Sequence, residues 1–480
     1  MWQPVLMIDG FVLSILGLSM IVPAFFDFYD AQSSWSPFLT SMLITLFTGL
    51  MFFLSNKHKI NSISLRQGYL ITLVCWVSVG IFSTLPFVLS GAINDVTSAL
   101  FESISGVTAT GATVIEDVEI LPRSVLLWRS MLNGLGGIGI VIFAVAMLPF
   151  LGIGGMQMFT HENSETGDKL MPKFIDLAKW IICVYLTLVS LCAVALYFCG
   201  MGKFDALNHA LSAVATAGFS TKNTSIAYYD SALIEFVLTV FMISGALPMT
   251  FYIILIRKRE ADKLRLAQIK YFLRAILIFT LFLALYLTFY NHIHFFKAVR
   301  YSIFNIVAVM TTTGLSSADY LDWGMWTAVF FMLLSLHGGC IGSTTGSIKV
   351  MRWQVLKAYF KKVMIASIEP HQVVPVKIGD AAVPDKAVNS VFVYIFSFLA
   401  TIGGVALALN LSGYDLSTSL AAAVASVTNT GPGATKAISA AGNYAFFTPG
   451  AKYILCAAMI LGRLEIMTVL VVFSKSFWKK

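Results

Sequence analysis

Four short segments of the chain repeat one pattern of small, hydroxyl-bearing and glycine residues. They read Val107-Thr108-Ala109-Thr110-Gly111, Val214-Ala215-Thr216-Ala217-Gly218, Met310-Thr311-Thr312-Thr313-Gly314 and Val427-Thr428-Asn429-Thr430-Gly431. Their glycines are 107, 96 and 117 residues apart. The chemistry open to these residues is the replacement of a cation's water shell by oxygen. Backbone carbonyls aimed at a common centre can do this for a dehydrating monovalent ion. Turning successive carbonyls the same way needs dihedrals that glycine accepts without steric cost. The expected ligands are therefore the carbonyls of 108–111, 215–218, 311–314 and 428–431. Side-chain oxygens of Thr108, Thr110, Thr216, Thr311, Thr312, Thr428 and Asn429 could join them or anchor the backbone. A single such segment in an apolar chain is ordinarily a helix-packing motif; four in register call for a shared purpose.

Each segment follows a stretch that can be helical but is too short to cross a bilayer: 95–107, 204–214, 297–310 and 415–427. Each also lies between two longer apolar runs. A spanning helix needs roughly 20 apolar residues, and ten runs qualify: 4–26, 38–55, 68–91, 124–150, 176–200, 231–256, 271–290, 323–348, 388–411 and 449–474. The unit is span, short helix, turn, span. A half-crossing helix with irregular return is tolerated in a membrane only when it is buried in protein or lines a watery cavity. The expected fold is an all-α polytopic membrane protein, with ten transmembrane helices and four short pore helices. It divides into an N-terminal hairpin (1–60) and four pseudo-symmetric pore repeats around one pore: 61–170, 171–265, 266–375 and 376–480.

Composition agrees. The 480 residues are 58% hydrophobic and only 12% charged, with mean hydropathy +0.82. A soluble domain carries about 25% charged residues. The net charge of +8 does not imply a nucleic-acid partner, because the basic residues sit between spans. Lys57, Lys59 and Arg66, then Lys169, Lys173 and Lys179, mark the first two basic loops. Seven Lys and Arg in 257–274, seven in 349–386, and Lys475, Lys479 and Lys480 mark the rest. These are alternate loops, so both termini are expected in the cytoplasm. Six scattered cysteines form no Cys-x-x-Cys pair and read as reduced and inert.

Several polar features fall inside the apolar runs. Gly338, Gly339, Gly342, Ser343, Thr344, Thr345 and Gly346 interrupt the eighth span, and each glycine costs a helix roughly 1 kcal/mol against alanine. The run is either a packing kink or a mobile loop that admits or blocks ions. Arg463 lies mid-span, where an unpaired charge costs at least a few kcal/mol. It is expected either to face the pore, raising the barrier to cations, or to form a structural ion pair; Glu465, two residues on, points elsewhere. Arg129 is near an outer span end, where snorkelling explains it as well as function does. Glu102, His209 and Asn305 hold one position in three short helices, with Ala422 in the fourth, and could form a hydrogen-bonded layer behind the turns or attract ions. Asp9 needs no functional reading.

Two motifs mislead. Gly134-Leu135-Gly136-Gly137-Ile138-Gly139 satisfies G-x-G-x-x-G, but it lies within a span rather than after a strand, and close helix packing is the better reading. His161-Glu162-Asn163-Ser164-Glu165 opens like an H-E-x-x-H zinc site and lacks its second histidine. No clustered acid, base or metal ligands mark an enzyme, and no organic cofactor is expected.

The four segments, together with Leu135-Gly136-Gly137-Ile138-Gly139-Ile140, Ala146-Met147-Leu148-Pro149, Gly152-Ile153-Gly154-Gly155-Met156-Gln157, the 338–346 run and Leu461-Gly462-Arg463-Leu464-Glu465-Ile466, resemble the Trk/Ktr/HKT superfamily of K⁺ transporters, closely its bacterial TrkH branch. The resemblance covers nearly the whole chain. It implies K⁺ as the transported ion, a bacterial inner-membrane homodimer with one pore per protomer, and a TrkA-like cytosolic nucleotide-binding regulator. It also implies gating by the 338–347 loop, with which Arg463, read from its mid-span charge, could work. Gly111 is the position where Gly goes with K⁺ preference and Ser with Na⁺. The stretch Ser244-Gly245-Ala246-Leu247-Pro248-Met249 departs from the Gly-Gly-x-Asn-Phe type of relatives, which bears on the packing of the second repeat. A Na⁺-selective or poorly selective conductor, and a midplane-site secondary transporter, are the alternatives; the latter calls for inverted repeats, whereas these four share one orientation.

Overall fold

The computed structural model describes residues 1–29, 35–57, 64–151, 170–257, 263–379, 381–439 and 442–479. The 152–157 and 161–165 motifs, and Lys59, Lys169, Lys258, Arg259 and Lys480, lie outside the described residues. Among the described residues, seven helices are long and apolar enough to cross a membrane: Trp2–Tyr29, Trp35–Ser55, Leu65–Leu89, Arg123–Phe143, Asp176–Phe198, Leu264–Phe289 and Asp385–Leu411. They correspond to the first five, the seventh and the ninth expected spans. Their outer faces carry exposed Phe47, Phe198, Leu277, Phe289, Phe396 and Leu411. Such a surface is stable against lipid rather than water.

The other three expected spans are not continuous helices. The sixth is Ala232–Ala246 followed by Met249–Ile256, bent by 92°. Pro248 lies at the break, and its ring cannot continue the helical ladder. The tenth is Pro449–Arg463 followed by Ile466–Val472, bent by 109°, with Glu465 at φ +57° in the break. The eighth keeps only the ten-residue helix Met325–Leu334 before an irregular stretch leads into Val350–Ile368. The glycine- and hydroxyl-rich composition of 338–347 predicts this last break. The other two breaks fall inside the expected spans 231–256 and 449–474, which read as unbroken runs in the sequence.

The four short helices are Val96–Val107, Lys203–Ala215, Phe295–Met310 and Leu416–Thr428. Two begin at aspartates that cap them: Asp95 accepts from the Thr97 and Ser98 amides, and Asp415 from the Thr418 amide. All four bury their C-terminal ends completely, at 101–107, 212–215, 304–310 and 421–428, while their N-terminal turns stay partly exposed. The N-terminal hairpin closes on small residues. A β-carbon at Gly10 would lie 2.5 Å from the Gly49 carbonyl oxygen, so the two helices meet backbone to backbone. One core joins this hairpin to the first and fourth repeats through Phe38, Phe101, Trp128, Leu409 and Leu455. A second joins the middle two repeats through Leu238, Met242, Leu283 and Phe304.

Candidate functional site

Each short helix ends the same way. Ala109, Thr216, Thr312 and Asn429 sit two residues before the motif glycine and adopt φ of +52°, +54°, +57° and +56°. Their amides bond back three residues, to Gly106, Ala213, Val309 and Ser426 carbonyls, at 3.0–3.3 Å. The next amides, of Thr110, Ala217, Thr313 and Thr430, bond back five residues at 2.8–3.0 Å. This is a Schellman C-cap, built four times with a residue other than glycine in its left-handed position. The motif glycines then turn the chain again at φ +81°, +91°, +75° and +86°. The amides of each turn are thereby held against its own helix. Among the described residues, no hydrogen-bond donor reaches the carbonyl oxygens of Thr110, Ala217, Thr313 and Thr430.

Those four carbonyls also define how the turns meet. A β-carbon at Gly111 would lie 2.0 Å from the Ala217 oxygen, and one at Gly218 would lie 2.1 Å from the Thr313 oxygen. One at Gly314 would lie 2.2 Å from the Thr430 oxygen, and one at Gly431 would lie 2.4 Å from the Thr110 oxygen. The contacts run from repeat one to two, two to three, three to four and four back to one. The four turns form a closed ring in chain order, with each glycine seated against its neighbour's carbonyl.

Threonine hydroxyls stiffen the ring. Thr108, Thr311 and Thr428 donate to the carbonyls of Ile104, Val307 and Val424 at 2.7–2.8 Å. Each also lies 2.7–2.8 Å from the hydroxyl of Thr110, Thr313 or Thr430. Repeat two has Ala215 and Ala217 in these places, and they pack with Ala109. Asn429 closes the last seam, its amide nitrogen donating to Thr110 Oγ1 at 3.0 Å and to the Met459 carbonyl at 2.9 Å.

Behind the ring, the layer of polar residues braces the outgoing chain. Glu102 accepts from the Val114 amide at 2.9 Å and from Thr113 Oγ1 at 3.0 Å. His209 Nε2 meets Ser220 Oγ at 2.9 Å, and Asn305 donates to Ser317 Oγ at 3.1 Å. Where repeat four has Ala422, Tyr444 takes over, its hydroxyl donating to the Gly431 carbonyl at 2.8 Å. Of the two readings left open for Arg129, snorkelling does not hold. It is 2% exposed, pairs with Glu102 at 2.8 Å, donates to the Ser220 carbonyl at 3.2 Å, and lies 4.1 Å from the Phe219 ring. It ties repeat one to repeat two.

The 338–347 stretch is packed against the ring. Gly346 donates its amide to Thr312 Oγ1 at 2.8 Å, and a β-carbon there would lie 2.5 Å from the Thr428 oxygen. Thr344 Oγ1 lies 3.1 Å from Thr216 Oγ1 and bonds the Val214 and Gly245 carbonyls at 3.0 Å. The broken sixth span receives the loop. The Ala246 carbonyl accepts from the Cys340 amide at 2.9 Å, and the Met249 amide donates to the Gly342 carbonyl at 3.0 Å. The unusual Ser244–Met249 sequence thus makes a dock for the loop. Arg463 is 3% exposed and donates to the Thr344 carbonyl at 2.8 Å and the Gly136 carbonyl at 3.3 Å. Glu465 pairs instead with Arg352 at 2.7 Å. Arg352, counted in the sequence only as a loop charge, is 1% exposed and lies 3.6 Å from the Tyr394 ring.

One set of residues escaped the sequence reading. β-Carbons at Gly136, Gly245 and Gly462 would lie 1.8, 2.6 and 2.0 Å from the carbonyl oxygens of Val107, Val214 and Val427. In three repeats the span after the turn therefore seats a glycine on the end of the short helix. The glycines fall 25, 27 and 31 residues after the motif glycine, a second periodicity that only the first one makes visible. The misleading G-x-G-x-x-G run supplies one of them.

The TrkH family profile, described as "Cation transport protein", matches residues 36–480. The chain belongs to the TrkH family. The Trk system potassium uptake proteins TrkH and TrkI of Halomonas elongata are 36% and 34% identical to it, covering 99% and 100% of this chain and 99% and 97% of their own. TrkG of Escherichia coli K12 is 35% identical, covering 98% of this chain and 97% of its own. The crystal structure of the potassium transporter TrkH from Vibrio parahaemolyticus superposes with TM-score 0.92 at 30% identity, over 100% of both chains. Its TrkH family membership and apolar helices make this chain a polytopic membrane protein.

Proposed function

We propose that this TrkH-family chain takes up K⁺ through the centre of the four-turn ring, which acts as its selectivity filter. The observation that carries the reading is the cyclic closure of Gly111, Gly218, Gly314 and Gly431 on one another's carbonyls. With the amides tied back to the short helices, the carbonyls of 108–111, 215–218, 311–314 and 428–431 are the groups proposed to replace water around the ion, although those of Ala215 and Gly431 already accept from the Thr216 and Tyr444 hydroxyls. The four short helices direct the negative ends of their dipoles at the same place. The threonine hydroxyls, with their protons on the helix carbonyls, chiefly fix the backbone. The names of the relatives favour K⁺ as the cargo, and the glycine at 111 favours it over Na⁺.

The 338–347 loop with Arg463 would be the gate. A guanidinium fixed beneath the ring raises the barrier to any cation, and its bond to the Thr344 carbonyl holds the loop across the path. The same reading includes a homodimer in the bacterial inner membrane, both termini in the cytoplasm, and a TrkA-like cytosolic nucleotide-binding regulator that shifts the loop. Replacing Arg463→Gln is expected to raise K⁺ flux about tenfold in the absence of any regulator, a change of roughly 1.4 kcal/mol in barrier. Flux at or below the unmodified level would remove Arg463 from the gate.

The function itself is tested by growth of a K⁺-uptake-deficient bacterium at low external K⁺. The full chain, with its cognate regulator, should rescue growth, and a Gly314→Ala variant should not. Failure of the unmodified protein, or equal rescue by both, would overturn the assignment.

A further inference from the structure

Lys349 has no part in the gate as described so far. It is the N-cap residue of the helix Val350–Ile368, where the positive end of the helix dipole disfavours a cation. Its side chain turns back into the protein. The ammonium donates to the Thr345 carbonyl oxygen and, at 2.8 Å, to Thr345 Oγ1. The preceding carbonyl, of Thr344, is the one that Arg463 holds at 2.8 Å. Two successive carbonyls of the loop are thus each covered by a cationic side chain, one from the last span and one from the helix that leaves the loop. Both cations line a single cavity of about 30 Å³ with Ser343, Gly346 and Glu465. Glu465 does not neutralise the pair alone, because Arg352 holds its Oε2 at 2.7 Å. Thr345 is also the knot of the loop: its hydroxyl accepts from the Gly339 amide at 3.0 Å and lies 2.9 Å from Ser343 Oγ.

We propose that Lys349 is a tethered stand-in for the transported ion. Its ammonium occupies, on the Thr345 carbonyl and hydroxyl, the coordination place that a K⁺ leaving the ring would meet, and it must withdraw before the ion passes. The inference rests on the reading of the ring as a K⁺ path. An ammonium and a K⁺ carry the same charge and both satisfy carbonyl oxygens. Lysine, unlike arginine, is a compact charge on a flexible stem, which suits a group that must leave. Arg463, with two backbone bonds, is the fixed member of the pair, and repulsion between the two charges in one cavity makes the lysine the member to be displaced.

The test is ⁸⁶Rb⁺ flux into liposomes carrying the full chain, comparing the unmodified protein with Lys349→Met and Lys349→Arg. Methionine keeps much of the stem and removes the charge. Flux should rise about tenfold, with an unchanged preference for K⁺ over Na⁺, because the ring is untouched. Arginine should keep flux at or below the unmodified level. If methionine prevents folding, Lys349→Gln serves as the uncharged variant with the same expectation. A Lys349 that merely braced the loop would give the opposite result: lower or equal flux with a lowered melting temperature, and that outcome overturns the proposal. Unmodified protein that conducts no Rb⁺ while folded would instead remove the reading of the ring, whatever the variants do.

Discussion

Replacing Gly111 with Ser is expected to lower K⁺ uptake about a hundredfold and to abolish the preference for K⁺ over Na⁺. A β-carbon at Gly111 would lie 2.0 Å from the Ala217 carbonyl oxygen, well inside any real contact, and φ there is +81°, which a side chain rarely adopts. The carbonyl must move by about 1 Å, a displacement that costs around a hundredfold where function depends on geometry. The displaced oxygen belongs to the neighbouring repeat, so the damage spreads around the ring. Alanine at Gly218, Gly314 or Gly431, with β-carbons 2.1, 2.2 and 2.4 Å from the next oxygen, should do comparable harm. Gly403→Ala is the control, since nothing lies within 4 Å of its β-carbon position. Uptake assays with K⁺ and Na⁺ in competition read all five variants. Full selectivity in Gly111→Ser would mean that the ring does not choose the ion.

Replacing Arg129 with Met is expected to destabilise the protein by about 3–5 kcal/mol, because it leaves the buried Glu102 carboxylate without its cation. The loss is not confined to one repeat: Arg129 also holds the Ser220 carbonyl and the Phe219 ring of the second. A lowered melting temperature should therefore come with weakened ion selectivity. Glu102→Gln in the Arg129→Met background should recover part of the stability, since the unpaired charge is then gone. Additive losses in that double variant, measured by thermal unfolding in detergent, would show that the two side chains act independently.

The positions of the four short helices and their turns were legible in the sequence because one physical requirement is written four times. The expected 95–107, 204–214, 297–310 and 415–427 lie within a few residues of the observed helices. The left-handed residues before the glycines were not legible, because Ala109, Thr216, Thr312 and Asn429 share no residue type that announces the conformation. The interrupted eighth span showed itself through its glycines. The bends in the sixth and tenth spans were less legible, since their apolar composition continues through the break: Pro248 marks the first, where the loop docks at Ala246, and the ion pair at Glu465 gives the second a reason. Arg129 and Arg352 illustrate the same limit. A lone arginine near a span end reads as snorkelling or topology until its carboxylate partner is located, 27 residues away for Arg129 and 113 for Arg352.

Diffraction from crystals of the full chain grown in Rb⁺ or Tl⁺, with anomalous scattering recorded, tests most directly whether the ring holds the ion. The account predicts a peak on the central axis, ligated by backbone oxygens from all four turns, with the Thr110, Ala217, Thr313 and Thr430 carbonyls among them. A well-ordered ring with no peak at its centre, and the ion bound elsewhere in the chain, would contradict it.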